Sequence, residues 1–566
     1  MALETVALQD FTGGLNYRAD AYQLADNESP DMLNVDIDPR GGFSQRSGIK
    51  DYNSSAIGSI ASGSFDPHRL FAWDGNTRQL FVAANNKVYW TETDTFADMG
   101  VTTNAVHGAQ FGAWSNSGTS YLYGCAGQSN NCFRWDGTGG SPTATLLTAS
   151  GFTGSDWQNS YIGDSFTGAS GSHCPRAEHM TVHGDRLWVA HTYDGNGSSA
   201  VVPFPDRVRF SHPGKPECWR ELDFIDVVGG GRGINAIVSF GDQLLVFKPR
   251  AVFAILGFDE ATFQLVQLTN QLGVPSPKAV TSTESAVFMF SWPDGMFAFD
   301  GSRFIDLFQR LRPIIQIGEM NDESLDGIYL SWVDRKVMVS LPVGVDPATN
   351  ETFDESGVTF DDVDVKFNGS VQASVPTTTF VWDQTVGAGG AWSRYTLADG
   401  YGFAGGTEFI DDFGRRLPMV LHPNKPYALQ IDVTGSAQDT IAGSAQNFDS
   451  YYVTKWRDGG VTTAKKFWRR PEFLVRQLGT DTTINVSAFH NWDRSTSQRD
   501  FTLAFTGSGF SGGYESWVQP DLGSDLVKGT NLGLANAVQL KVSGYGNQAW
   551  GVNGITLKFN PRRSRT

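Results

Sequence analysis

Cysteine is scarce in this chain, four in 566 residues, and long apolar runs are missing altogether. The four are Cys125, Cys132, Cys174 and Cys218. Cys125 and Cys132 could close a hairpin bridge, but without a sign of export reduced thiols are expected. No stretch approaches the roughly 18 consecutive apolar residues of a spanning helix, so no membrane span is expected. Met1 to Asp10 carry no basic segment ahead of an apolar core, so a secretory leader is not expected either. Charge is thin: Asp, Glu, Lys and Arg make up 18% of the chain. That is low for a large water-facing surface, and part of it is expected to be covered by neighbouring subunits. Helical periodicity is nearly absent. One segment, 303–321, places Ile305, Leu307, Phe308, Leu311, Ile314, Ile315 and Ile317 in an apolar set, and Pro313 interrupts it.

Turn formers and aromatics are abundant instead. The chain holds 64 Gly and 23 Pro, spread along its length, with 39 Phe and 16 Trp. Glycine frees φ at turns and proline fixes it, which suits many short strands joined by many turns. Two elements recur. An aromatic followed by Asp-Gly occurs at Trp73-Asp74-Gly75, Trp135-Asp136-Gly137 and Phe299-Asp300-Gly301, with a decayed copy at Trp382-Asp383-Gln384. A turn followed by three apolar residues occurs at Leu80-Phe81-Val82, Leu187-Trp188-Val189, Leu244-Leu245-Val246 and Val337-Met338-Val339. Irregularly spaced copies of one strand unit predict an irregular β-propeller, each blade a small sheet buried by stacking on its neighbours. The gaps 148–175 and 343–372 read as loop insertions. After Asp432 the repeat stops, and Thr434-Gly-Ser-Ala begins a boundary. Beyond it, 483–489, 538–542 and 554–559 alternate with period two, the pattern of a β-sandwich. The expectation is all-β with very little helix: an extended N-terminal arm over 1–50, a propeller with insertions over 51–433, and a C-terminal β-sandwich over 434–566.

Net charge is −17, unevenly placed. Residues 451–566 carry 15 Lys and Arg against 8 Asp and Glu, so the rest of the chain is strongly acidic. An acidic body cannot displace counterions from phosphates, which argues against tight nucleic-acid binding. It also does not retain a strand that slides past it. The basic end suits docking on an acidic neighbour.

The order of short motifs carries a resemblance. Phe11-Thr-Gly13-Gly14-Leu15-Asn16, Leu24-Ala-Asp26-Asn27-Glu28-Ser-Pro, Asn34-Val-Asp36 and Gly41-Gly-Phe-Ser-Gln-Arg46-Ser-Gly48 open the chain. Arg207-Val-Arg-Phe-Ser211, Pro216-Glu217-Cys-Trp219, Leu244-Leu-Val-Phe-Lys248 and Phe299-Asp300-Gly301 follow. Thr454-Lys-Trp456, Lys465-Lys466-Phe-Trp468-Arg469-Arg470 and Trp492-Asp493 close it. In this order they resemble the nozzle, or tail tubular, proteins of tailed bacteriophages, over most of the chain. The resemblance implies a structural virion protein, made in the host bacterial cytoplasm. It would be assembled as a ring of six copies in the tail, below the portal and its adaptor and next to a tail fibre or spike. Such a ring continues the channel for double-stranded DNA, helps retain the genome and lets it out. The alternative from another class is a propeller that binds host glycans at the tail tip through exposed Trp and Tyr.

No constellation makes this chain an enzyme on sequence grounds, and no catalytic, cofactor-binding or metal residue is assigned. His173-Cys174, His179 and His183, with His191 nearby, offer zinc-type ligands, but the spacing fits no standard finger, and structural histidines are expected. Gly509-Phe-Ser511-Gly-Gly513 matches a hydrolase elbow, and Gly507-Ser-Gly509-Phe-Ser-Gly512 a dinucleotide loop. No helix follows either, as both would require. Asp361, Asp362 and Asp364 approach a calcium loop that Lys366 spoils, and Asp411-Asp412 reads as a solvated turn. A propeller hydrolase would need carboxylates converging at its centre.

Overall fold

In the computed structural model the chain is described over residues 3–561, apart from 21–22, 105–107, 117–118, 129–130, 138–143, 148–175, 196–200, 218, 220–222, 317–319, 348–371, 388, 412, 434–435, 477–481, 506–523 and 545–547. Seven antiparallel four-stranded sheets follow one another along it. Blade 1 runs through Pro67–Asp74, Arg78–Ala84, Lys87–Thr91 and Ala97–Thr102, and blade 2 through Gln110–Asn116, Thr119–Cys125, Phe133–Trp135 and Thr145–Leu146. Blade 3 holds Arg176–His183, Arg186–Gly195, Val201–Phe210 and Phe224–Asp226, and blade 4 holds Ala236–Phe240, Gln243–Phe247, Val252–Leu256 and Gln264–Thr269. Blade 5 comprises Val280–Ser282, Val287–Ser291, Gly295–Phe299 and Phe304–Asp306; blade 6 comprises Tyr329–Val333, Lys336–Leu341, Thr378–Asp383 and Ala391–Tyr395. Blade 7 takes Gly406–Ile410, Arg416–Leu421 and Ala428–Val433 from this end of the chain. Its fourth strand is Gly48–Asp51, paired antiparallel at Leu429↔Asp51 and Gln430↔Lys50. The first strand of each blade faces the centre, and Gly406–Ile410 returns beside Pro67–Asp74 to close the ring.

The unbroken apolar runs are explained by burial on both faces. Along a strand, side chains alternate between faces, so neighbouring residues enter different seams. Leu244 and Val246 pack towards blade 3 while Leu245 and Phe247 pack towards blade 5. Leu80 and Val82 likewise meet blade 7, and Phe81 and Ala83 meet blade 2. All eight of these side chains are fully buried. Each large one contributes about 1.5–3 kcal/mol against exposure. The recurring turn-plus-apolar unit is the second strand of blades 1, 3, 4 and 6. Two of the preceding turns, Gly184-Asp185 and Asp334-Arg335, have positive φ at both residues, as the twist of a tight hairpin demands. Three of the four aromatic-Asp copies end a third strand, and Trp73-Asp74 ends a first.

The segment expected to be an arm is woven into the C-terminal sandwich. One sheet orders Asp31–Leu33, Tyr451–Val453, Val538–Gly544, Thr482–His490 and Arg499–Phe505. The other centres on Gly551–Pro561, which pairs with Glu4–Leu8 from Glu4↔Phe559 to Leu8↔Ile555 and with Phe43–Gln45 at Val552↔Phe43. Phe43 stacks on Tyr452 at 4.3 Å, with Phe11 edge-on to it at 4.8 Å and Trp550 at 5.9 Å. In the 303–321 segment the helical spacing yields one turn, Pro313–Gln316, after the strand Phe304–Asp306. Pro313 opens that turn, where its missing N–H costs nothing.

A buried ion pair ties arm, propeller and sandwich together. The Arg46 guanidinium donates to both carboxylate oxygens of Asp439, at 2.8 and 2.7 Å. Its remaining N–H groups reach Asn34 Oδ1, Ser47 O and Thr396 O, and Phe448 lies 3.8 Å from its centre. Asp439 also accepts from the backbone N–H of Ile49 and Ala398. The two side chains are 2% and 0% exposed, so removing either strands a buried charge. Gly48 sits beside this pair, and a Cβ there would lie 2.1 Å from Gln438 O. Replacing Asp439 by Ala is expected to cost about 3–5 kcal/mol, the scale for breaking a buried pair. The check is thermal unfolding together with limited proteolysis, in which cleavage should appear first between residues 434 and 450.

Candidate functional site

The inner strands enclose a central cavity of about 440 Å³. Every blade contributes: Leu70, Phe111, Met180, Ile237, Val280, Trp332 and Gly406 are among its lining. A smaller pocket of about 70 Å³ continues it towards His68, Lys278 and Tyr329. At that end Lys278 Nζ donates to Tyr329 Oη at 3.3 Å, and Tyr329 donates to Pro67 O. No Asp or Glu is among the described residues lining the cavity. None of the described lining residues supplies the converging carboxylates a propeller hydrolase needs.

The candidate metal ligands occupy separate structural roles. His179, buried on the inner strand of blade 3, places Nε2 2.8 Å from Ile234 O. His183 Nδ1 lies 2.9 Å from Ser239 Oγ. His191 stacks on Tyr193 at 5.5 Å. Among the described residues no group of three His, Cys, Asp or Glu side chains could hold a metal. His173 and Cys174 lie outside the described residues, as do Ser511 with its flanking glycines and Asp361, Asp362, Asp364 and Lys366. Asp411 caps its own turn: its carboxylate accepts from the backbone N–H of Phe413 and Arg415 and from Arg415 Nε at 2.7 Å. Asp412 lies outside the described residues. Cys125 and Cys132 are both buried.

Two buried polar clusters escaped the sequence reading because their members are far apart in the chain. Glu178 accepts from Asn104 Nδ2 at 2.8 Å and from Tyr193 Oη. Burial pushes its carboxyl up against those hydrogen bonds. In blade 7, His422 Nε2 lies 2.9 Å from Asp399 Oδ2, and Lys425 Nζ donates to the same oxygen at 2.6 Å. Nδ1 of His422 accepts from the backbone N–H of Asn424 and Lys425, so Nε2 carries the proton given to Asp399. Burial works against the Asp399 charge, but the bonds from His422 and Lys425 outweigh it and hold the carboxyl at about 2. Both nitrogens of the ring are consumed in locking a turn, and none is left to activate a nucleophile.

No family profile matches the sequence, and no curated protein does. Three of the solved structures similar to this chain follow. A catalytically inactive virginiamycin B lyase from Staphylococcus aureus is 9% identical, with TM-score 0.37, over 68% of this chain and 99% of its own. YCF48 from Cyanidioschyzon merolae is 9% identical, with TM-score 0.32, over 69% of this chain and all of its own. The extracellular domain of a one-component system from B. thetaiotaomicron is 10% identical, with TM-score 0.35, over 69% of this chain. The match spans 40% of that protein's length.

The His422 turn makes a pH prediction. Burial holds its pKa below the ordinary 6.5 despite Asp399. As pH falls below 6.5 the unfolded chain takes up the proton first, so this stabilising contribution is full above 6.5 and lost as pH falls towards the folded value. Melting curves from pH 7.5 to 5.5 are expected to show a shallower decline in Tm for His422→Asn than for the unaltered chain. Equal slopes would remove the histidine from the account.

Proposed function

We propose that this chain is a structural subunit of a bacteriophage tail, a nozzle-type ring protein that continues the DNA channel below the portal and its adaptor. The observation carrying this reading is where the motifs of the resemblance lie. They sit at joints between parts or lock blade 3 internally, and those named below do not line the cavity. Arg46 and Asn34 hold the three-way junction. Gly14 has φ +68, and a Cβ there would stand 2.7 Å from Trp392 O, so the arm lies flat on blade 6. Glu28 gathers Asn16 and the backbone of Ala25. Arg207 pairs with Asp226 at 2.8 Å between the rings of Phe204 and Phe224. Ser211 Oγ accepts from Leu187 N, Glu217 accepts from Tyr123 Oη and Arg134, and Lys248 is buried on Asp206 and Val227 O. Residues that serve rigidity suit a protein that acts through its surfaces.

A ring also needs faces for its neighbours. The outer strand of blade 4, Gln264–Thr269, leaves Leu265 and Val266 exposed, with Phe258 at 74% exposure on the preceding turn. An unpaired apolar edge of this kind is a site for another chain. The glycan-binding alternative lacks comparable support, since the one exposed tryptophan among the described residues, Trp492, lies on the sandwich. Quantitative peptide mass spectrometry of purified particles should find about half as many copies of this chain as of the portal protein, as a six-fold ring on a twelve-fold portal requires. Absence from particles would overturn the reading.

A further inference from the structure

Arg69 is a cation at the centre of the propeller with no counter-ion among the described residues. It lies near the start of blade 1's inner strand, where the register shifts between Pro67 and Arg69. An irregularity of this kind re-aims a side chain, and Arg69 lines the central cavity. Among the described residues its guanidinium makes one hydrogen bond, to Gln110 Oε1, and it has no carboxylate partner. Arginine does not shed its proton in proteins, so a guanidinium so placed demands an anion or close solvation. Burial pushes its pKa down, the direction expected for a charge without compensation.

Gln110 is the second observation. It is 6% exposed and lines the same cavity. Its Oε1 is taken by Arg69, while its amide N–H groups donate to nothing among the described residues. Thr181, Thr281 and Thr407 also line the cavity, from blades 3, 5 and 7. A planar guanidinium fork matches two oxygens of a phosphate or carboxylate, and neutral donors around it complete an oxyanion site. A volume of about 440 Å³ lies within the range of small-molecule sites.

We propose that the central cavity binds a small oxyanion, a phosphate or carboxylate group, anchored by Arg69 with Gln110 as a further donor. This site is independent of the ring reading, because it lies within one chain. The full chain, dialysed into a weakly coordinating buffer, is titrated calorimetrically with inorganic phosphate and separately with malonate. One saturable site per chain is expected for at least one of them, and which one identifies the chemistry. Arg69→Gln should weaken it by at least about tenfold, the scale of a lost charged hydrogen-bond pair. Gln110→Met, which keeps the cation, should weaken it less. Melting supplies a readout that a scaffold arginine would not give. Arg69→Met should melt at or above the unaltered chain without anion, and lose the rise in Tm that saturating anion gives the unaltered chain. Failure of both anions to saturate, equal affinity in Arg69→Gln, or an equal Tm rise in Arg69→Met would overturn the proposal, the last two pointing to an adventitious ion only.

Discussion

The closure of the propeller rests on the Arg46–Asp439 pair. Asp439 lies just beyond blade 7, and Arg46 just ahead of the strand that completes it. The same carboxylate that takes the guanidinium also takes the N–H of Ile49, inside the closing strand, and that of Ala398, beyond blade 6. One buried charge thus fixes the register of Gly48–Asp51 against Ala428–Val433 and the position of the sandwich against the ring. Desolvating such a pair is costly, and it is stabilising here because every remaining donor finds an acceptor.

Around that point the molecule has few places where its parts could slide. Blade 6 presents Trp392 to Phe308 and donates its Nε1–H to Leu307 O. Arg394 reaches Asp31 and the hydroxyls of Tyr17 and Tyr451, joining blade 6, the arm and the sandwich. Apolar packing runs without a break from the seam of blades 5 and 6 into the sandwich. Propeller and sandwich therefore share one apolar core.

Much of this was legible in sequence. The doubly buried second strands announce themselves as apolar runs after Asp- or Gly-bearing turns, because each must fill two seams at once. The sandwich strands read by alternation. What hid was closure: Gly-Ile-Lys-Asp is too short and polar to read as a strand, and its partner lies almost four hundred residues away. The threading of the arm through both sandwich sheets was equally silent, since pairing partners leave no local trace. So was the cavity: Arg69 sits in an ordinary-looking strand, and only the ring of inner strands turns it inward.

The closing strand has a consequence for synthesis. Residues 48–51 leave the ribosome early, yet their partners in blade 7 follow only after six blades have been made, and Arg46 waits 393 residues for Asp439. The nascent chain therefore carries this strand without its partner while the six intervening blades are made. Ordering by such distant contacts slows assembly and leaves intermediates exposed. Once the clasp shuts, the same topology works in reverse: opening the ring at this seam requires parting Gly48–Asp51 from Ala428–Val433.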